Sequence, residues 1–329
     1  MDKIDISIKE LKKQYPKGLI SSELILEFSG NSVNKSLINA LRRIGYEYVP
    51  TYAFTDETIT IDSNTSIFNN DYMKLRLKQF TIPNVPIETN YLDPEYYVGV
   101  DYTNPNRIKH PKDNSLVEMY VNAKNTGNQI MNVTTNNAEV FINGDKQNKF
   151  DKEYPLLIVQ LRPEETFNCR CVAVLGVGLI NHVWSSLATS YFKEINENKF
   201  HLHYKSCGQL SEYDVVLKSA KILKKKIKSI KKKIDEEFDK DEIAKNMDME
   251  LVLENENHTV GNIINESLQD HKKVASSGLS KKNLLIETIY IHFILFNEKD
   301  NPLTVLYDVF DYIIAVSNVI KEKVTKLSK

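Results

Sequence analysis

Glu23-Leu-Ile-Leu-Glu-Phe28, the polar turn Ser29 to Ser32, and then Val33, Leu37, Leu41 and Ile44 decide how this chain is read. The first six residues favour a short strand, and the spacing of the last four keeps one helical face apolar. Far downstream the same grammar returns. Met249-Glu-Leu-Val-Leu-Glu254 reads as a strand, Asn255 to Thr259 as a polar turn, and Val260, Ile264 and Leu268 as a helical stripe. Laid on each other without gaps, the segments match Leu24 with Leu251, Ile25 with Val252, Leu26 with Leu253, Glu27 with Glu254, Val33 with Val260 and Leu41 with Leu268. That is an internal repeat. Ser32 and Thr259, with Asn31 and Asn257 nearby, are the side chains expected to cap the free N–H groups where each helix starts.

Each copy leads eventually to a long helix with a narrow apolar seam. The first carries Val216, Ala220, Leu223, Ile227, Ile230 and Ile234, in alternating steps of four and three that suit a packed helix pair. The second starts at Pro302, a residue preorganised for a first helical turn, and carries Leu303, Leu306, Phe310, Ile313, Ile320, Val324 and Leu327, with Ser317 as its one interruption. Two similar amphipathic surfaces on one chain can bury against each other as a pseudo-twofold pair.

Between the first short helix and the first seam the character changes. Pro50, Pro83, Pro86, Pro94, Pro105, Pro111 and Pro155 punctuate the β-favouring runs Ser115 to Val121, Gln129 to Thr134 and Glu139 to Ile142, and Asn143-Gly144 is a turn dipeptide. The expected architecture is therefore α+β. Residues 1–47 and 178–236 form a first module, split by a β-rich insert at 48–177; a charged linker at 237–247 leads to a second, smaller module at 248–329.

The composition of the 329 residues, 41% hydrophobic and 26% charged, is that of a globular protein, and 43 basic against 44 acidic side chains leave no global field for polyanions. Met1 to Lys13 mixes charge through its apolar residues, unlike a secretory signal, and the apolar stretch Val172 to Ile180 is too short to span a bilayer. No membrane contact is expected. Three cysteines, Cys169, Cys171 and Cys207, make no even disulfide framework and no C-x-x-C pair, which favours a reducing compartment.

Catalytic patterns are missing: there is no phosphate-binding glycine loop, no H-E-x-x-H, no G-x-S-x-G and no acidic magnesium triplet. Cys169 and Cys171 would share one face of a strand, as core thiols or as ligands, and His201 and His203 alternate in the same way without a third ligand nearby. No bound metal or cofactor is expected. The lysine-dense stretch 218–233 has three readings: a solvated helix face, a protein contact, or a nucleic-acid contact without aromatic residues for base stacking. Arg42 and Arg43 flank the Leu37 and Leu41 stripe, where their planar forks are either ordinary surface or a grip on carboxylates and carbonyls of another chain.

The run Asn31-Ser-Val-Asn-Lys-Ser-Leu-Ile-Asn-Ala-Leu-Arg-Arg-Ile44, with Val49-Pro-Thr-Tyr-Ala53, resembles the N-terminal signature of the α-type subunits of multisubunit RNA polymerases, in the manner of the third-largest subunit of RNA polymerase II. Gly178, His182, Trp184, Ala188 and Ser206-Cys-Gly208 follow in family order. Glu254-Asn-Glu-Asn-His-Thr-Val-Gly-Asn-Ile264 is similar to the signature of the eleventh subunit, the small α-like partner. Both partners in one polypeptide resemble the fused subunit of large cytoplasmic DNA viruses. The insert from Val49 to Lys149 lacks the cysteines that many relatives carry there, the loop around Trp184 is short, and Ser276 to Leu285 replaces the family's usual tyrosine and His-Pro pair.

The resemblance implies a non-catalytic assembly platform for the two largest subunits of a DNA-dependent RNA polymerase, with small tenth- and twelfth-type subunits as further partners and nucleic acid met only through the complex. It implies dimerisation through Val33, Leu37, Leu41, Val216, Leu223, Ile227, Ile230, Val260, Ile264, Leu268, Leu306, Phe310 and Ile313. Contact with the large subunits would fall to Asn39, Arg42, Arg43, His258, Thr259, Gly261 and Asn262. The implied location is the host cytoplasm, in a viral factory, and the virion, with the nucleus as an alternative. A DNA-binding transcription factor working through 218–233 is the rival reading, and a small-molecule enzyme a weaker one.

Overall fold

A computed structural model describes residues 3–17, 21–83, 85–87, 89–93, 96, 115–147, 150–237 and 248–328. Strand β1 (Ser7–Gln14) pairs antiparallel with β2 (Glu23–Ser29), Ile8 opposite Phe28, and helix α1 (Lys35–Glu47) follows. Strand β2 and the α1 stripe stand where the sequence put them. The cap does not. Asn34 caps α1, its side-chain oxygen accepting from the Leu37 N–H at 2.9 Å. The hydroxyl of Ser32 instead accepts from the Asp5 N–H at 3.1 Å, and the Asn31 N–H reaches the Asp5 carboxylate at 3.4 Å. Both residues are taken up in tying the turn to the chain ahead of β1.

The chain then leaves this unit. Strand β3 (Pro50–Asn64), helix α2 (Asn70–Leu77), and strands β4 (Val117–Lys124), β5 (Met131–Thr134), β6 (Ala138–Ile142), β7 (Asp145–Gln147), β8 (Leu157–Leu161) and β9 (Thr166–Val177) form a five-stranded antiparallel sheet, β3-β9-β4-β6-β7, and a two-stranded β5-β8 ribbon. Asn143 at φ 53° and Gly144 at φ 87° make the tight link between β6 and β7 that the dipeptide predicts. Phe54, Met73, Leu77, Met119, Val121 and Phe167 centre a core of its own here. Cys169 and Cys171 point into that core, and the Cys171 thiol is pushed far up by its hydrogen bond to Cys169 and by burial, so it stays protonated.

After the insert, β10 (Leu187–Asn196) and β11 (Lys199–Ser206) return to the first unit. Phe200 pairs with Phe28 and Leu202 with Leu26, completing the sheet β1-β2-β11-β10, and α3 (Glu212–Glu237) follows. The second copy is shorter: β12 (Asp248–Glu254), α4 (His258–Gln269), β13 (Val274–Ser280), β14 (Thr288–Leu295) and α5 (Pro302–Leu327), with sheet order β12-β14-β13. Pro302 opens α5, capped by Asn301, whose side chain accepts from Leu303 N–H at 2.8 Å. Helices and antiparallel sheets thus combine in an α+β fold. Of the expected linker, residues 238–247 lie outside the described residues.

Helix α5 is long and apolar enough to cross a membrane by length and composition, which the sequence reading overlooked. Half of its apolar window is buried against the rest of the chain. A core helix hydrophobic enough to sit between a partner helix and a sheet passes the same test. One continuous apolar cluster runs from β2, α1, β11 and α3 through β12, α4, β14 and α5, while the insert keeps its separate core.

Candidate assembly interface

Helices α3 and α5 lie antiparallel in constant register. Lys224 Nζ donates to Asn318 at 2.7 Å, Lys231 Nζ meets Asp311 at 2.8 Å, and the Tyr307 hydroxyl donates to Asp235 at 2.5 Å, so each step forward on one helix is matched by an equal step back on the other. Beneath these bonds Val216, Leu223, Ile227 and Ile230 of α3 and Leu306, Phe310 and Ile313 of α5 are buried. Ser317, the interruption in the α5 stripe, is buried too and donates back to the Ile313 carbonyl at 2.9 Å, which satisfies its hydroxyl within the seam.

The short helices form a second zone. Val33 just ahead of α1, Leu37 and Leu41 of α1, and Val260, Ile264 and Leu268 of α4 are all buried in the shared cluster, and the Ser36 hydroxyl donates to the Glu266 carboxylate across the pair. At the far end of α1 stands an ion pair that the sequence reading missed. Lys226 of α3 is 2% exposed, donates to both oxygens of Glu256 at 2.8 and 2.9 Å, and rests its ammonium 4.3 Å from the centre of the Tyr48 ring. Asn257, which caps α4 through the Thr259 N–H at 2.9 Å, also donates to the Tyr48 hydroxyl at 3.1 Å. A buried charge is tolerated only when paired and hydrogen-bonded, and the partner here comes from the other copy. In the sequence the only signal was a lysine beside seam residue Ile227.

The lysine-rich stretch is therefore not a uniformly solvated face. Lys218 is also largely buried, donating to the carbonyls of Ile87 at 3.3 Å and Thr89 at 3.5 Å, and burial, with repulsion from Lys221, lowers its pKa from 10.5 to about 8. Lys225 pairs with Asp93 at 3.4 Å and Lys232 with Glu236 at 3.3 Å.

The residues expected to meet the large subunits divide. Asn39 accepts from Arg42 Nε at 3.0 Å, and Arg43 places Nε and a terminal nitrogen on one oxygen of Glu47 at 3.1 and 3.0 Å, all on half-buried side chains of α1. The Arg43 fork and the Arg42 Nε are thus engaged within their own helix. His258 is exposed and Asn262 half-buried, but Thr259 and Gly261 are buried. Because α4 begins as early as His258, Gly261 faces the sheet, and a β-carbon there would stand 2.6 Å from Leu279 and 3.0 Å from Ile289. Gly261 is thus part of the packing of its own module. Thr259 Oγ1 has no hydrogen-bond partner among the described residues.

His201 and His203 take ordinary roles on β11. His201 Nε2 lies 3.2 Å from Glu27, whose pKa is lowered chiefly by the bond from Lys199 at 2.8 Å, and His203 stacks on Tyr191 with ring centres 4.3 Å apart. No cluster of three potential metal ligands exists among the described residues.

A helix pair in constant register above a shared apolar floor is an association device, and sequence comparison gives its class. The chain belongs to the RNA polymerase Rpb3/Rpb11 dimerisation domain family, whose model matches residues 27–227. The expected place among α-like polymerase subunits is thus met, and the likeness along the whole length is to a viral one. The chain is 26% identical to the putative DNA directed RNA polymerase subunit R470 of Acanthamoeba polyphaga mimivirus, over 98% of this chain and 95% of that protein. It is 25% identical to the DNA-directed RNA polymerase II subunit RPB3 of Schizosaccharomyces pombe over 53% of this chain and 57% of the relative. With the DNA-directed RNA polymerases I and III subunit rpac1 of Dictyostelium discoideum the identity is 24%, over 57% and 54%. The chain spans about half the length of these two cellular relatives.

Proposed function

We propose that the chain is the assembly platform of a viral DNA-dependent RNA polymerase, with both members of an α-like pair in one polypeptide. In this reading residues 1–47 and 178–236 are the first dimerisation module, 48–177 the insert and 248–329 the second module. The two largest subunits are its main partners, small tenth- and twelfth-type subunits its minor ones, and no cofactor is bound. The viral factory in the host cytoplasm, and the virion, are its places of work.

The observation that carries this reading is the single apolar core shared by α1 and α3 of one copy and α4 and α5 of the other. Tethering raises the effective concentration of such a pair to roughly millimolar, so fusion replaces heterodimer assembly. The rival DNA-binding reading has less support, because Lys218 and Lys226 are buried and Lys224, Lys225, Lys231 and Lys232 already meet acceptors of their own chain. The test is co-expression of the tagged full-length chain with the two largest polymerase subunits of its source. Both should be retained on the tag, and Arg42→Ala with Arg43→Ala should lower their recovery while leaving the melting temperature near that of wild type. Failure to retain either large subunit, or steep salt-dependent DNA affinity of the isolated chain, would overturn the proposal.

A further inference from the structure

Between α3 and α5 opens a groove of about 370 Å³. Lys221, Lys224, Lys225 and Lys228 line it from one face of α3, and Lys321 reaches in from α5. Asn90, Ser317 and Asn318 add neutral polar groups, and no carboxylate is among the described lining residues. Since the chain as a whole carries a net charge of −1, this positive field is local.

The helix register shows why it stands out. Further along α3, Lys231 meets Asp311 of α5, and Asp235 meets Tyr307, so each charge in the ladder has its acceptor or donor across the pair. The same register carries the 224–318 contact and, one step further, sets position 221 against 321, two lysines that line the same groove. The ammonium groups of Lys221, Lys228 and Lys321 make no hydrogen bond or ion pair with any described residue, and like charges gathered in one groove repel. Only the rim is satisfied: Lys224 is held by Asn318, and Lys225 leans on Asp93 with its ammonium 4.6 Å from the centre of the Tyr91 ring. The ladder stops where carboxylates run out.

We propose that this lysine groove docks an acidic segment of a partner polypeptide, whose carboxylates continue the ladder of cation and acceptor pairs beyond Lys231. Its volume suits a few side chains rather than a duplex. The neighbouring ring, Tyr91, is buried beneath Lys225, and no aromatic residue is among the described lining residues to stack on bases. Asp93, an acid at the rim, already makes the kind of contact the segment would make. The proposal stands independently of the polymerase reading.

A fluorescein-labelled hexaglutamate peptide and a labelled hexathymidylate oligonucleotide, each titrated with the full-length protein, provide the test by fluorescence anisotropy. The peptide should bind, release with added salt, and bind about tenfold more weakly to the Lys221→Gln, Lys321→Gln variant, as expected for two exposed charge pairs. Neither change touches the buried seam, so the melting temperature should hold, and Lys228→Gln provides a second, single-site variant. Lys232→Gln, outside the groove, should bind like wild type. Carbodiimide coupling, which joins a peptide carboxylate to a lysine amine as an amide with loss of water, should map to Lys221, Lys228 or Lys321. No peptide binding, unchanged binding by the groove variants, coupling confined to other lysines, or tighter binding of the oligonucleotide than of the peptide would each overturn the proposal.

Discussion

The two copies of the strand-helix unit keep the same apolar stripe but start their helices differently. Val33, Leu37 and Leu41 match Val260, Ile264 and Leu268, and all six are buried. Yet α4 begins behind Asn257, which aligns with Gly30, while α1 waits a full turn until Asn34, which aligns with Gly261. In the first copy the extra turn of backbone is held down by Asp5. In the second it is helix, and a glycine is needed where that helix lies close to its sheet. What the repeat preserves is therefore the face that the two copies bury together, and each helix start adapts to its own neighbours.

The strongest way to break this equivalence is to strike the shared face. Ile227→Asp places an unpaired carboxylate at a fully buried position, and Leu306→Asp does the same from the other helix. Each should remove stability of the order of the whole folding margin, about 5–15 kcal/mol, and appear as insolubility or a collapsed melting transition. Next in size is the ion pair between the copies. Lys226→Met leaves Glu256 without its partner and should cost about 3 kcal/mol by denaturant unfolding, whereas adding Glu256→Gln should recover most of the loss. Unequal helix starts can be tested at one aligned pair of positions: Gly261→Val should cost about 2 kcal/mol through overpacking against Leu279 and Ile289. Its counterpart Asn34→Ala should cost about 1 kcal/mol through a lost cap. If the two positions were equivalent, the two costs would share a cause and the glycine would tolerate substitution.

One further effect concerns pH. Lys218 holds its proton to a pKa of 10.5 when free but only to about 8 in the fold, so between these values the unfolded chain binds more protons and stability rises with pH. Wild type should therefore gain melting temperature relative to Lys218→Met across that window. A difference between the two proteins that does not change with pH would show that Lys218 is not held in the buried position.

Much of this was legible in the sequence because periodicity survives without tertiary information. The seam on α3, the seam on α5 from Pro302, the Asn143-Gly144 turn and the paired inward thiols of Cys169 and Cys171 all follow from spacing alone. Strand β1 was not legible: its alternation is diluted by Lys9, Glu10, Lys12 and Lys13, as expected of an edge strand with one face in water. Asn257, among the expected caps, does cap the second helix, whereas in the first copy the cap is Asn34 because Asn31 and Ser32 are bound to Asp5. Lys226 was hidden for a similar reason, since a lysine reads as surface until a carboxylate from the other copy is known to be at hand. The distinctive motif around Gly261 does not by itself reveal that this residue lies against Leu279 and Ile289.

The doorway of the insert has a consequence of a different kind. The Leu179 N–H donates to the Glu47 carbonyl at 2.8 Å, the Ser186 hydroxyl donates to the Gly45 carbonyl at 2.9 Å, and a β-carbon on Gly178 would stand 2.3 Å from the Tyr46 carbonyl oxygen. The chain thus leaves the first module and returns to it through an opening one hydrogen bond wide. To the kinetics of folding, everything from β3 to β9 is a single loop whose closure cost grows only with the logarithm of its length. Once that loop has closed, β11 pairs with β2, with β10 on its far side, as if the two followed α1 directly, and the contact order that matters to the module is that of a much shorter protein.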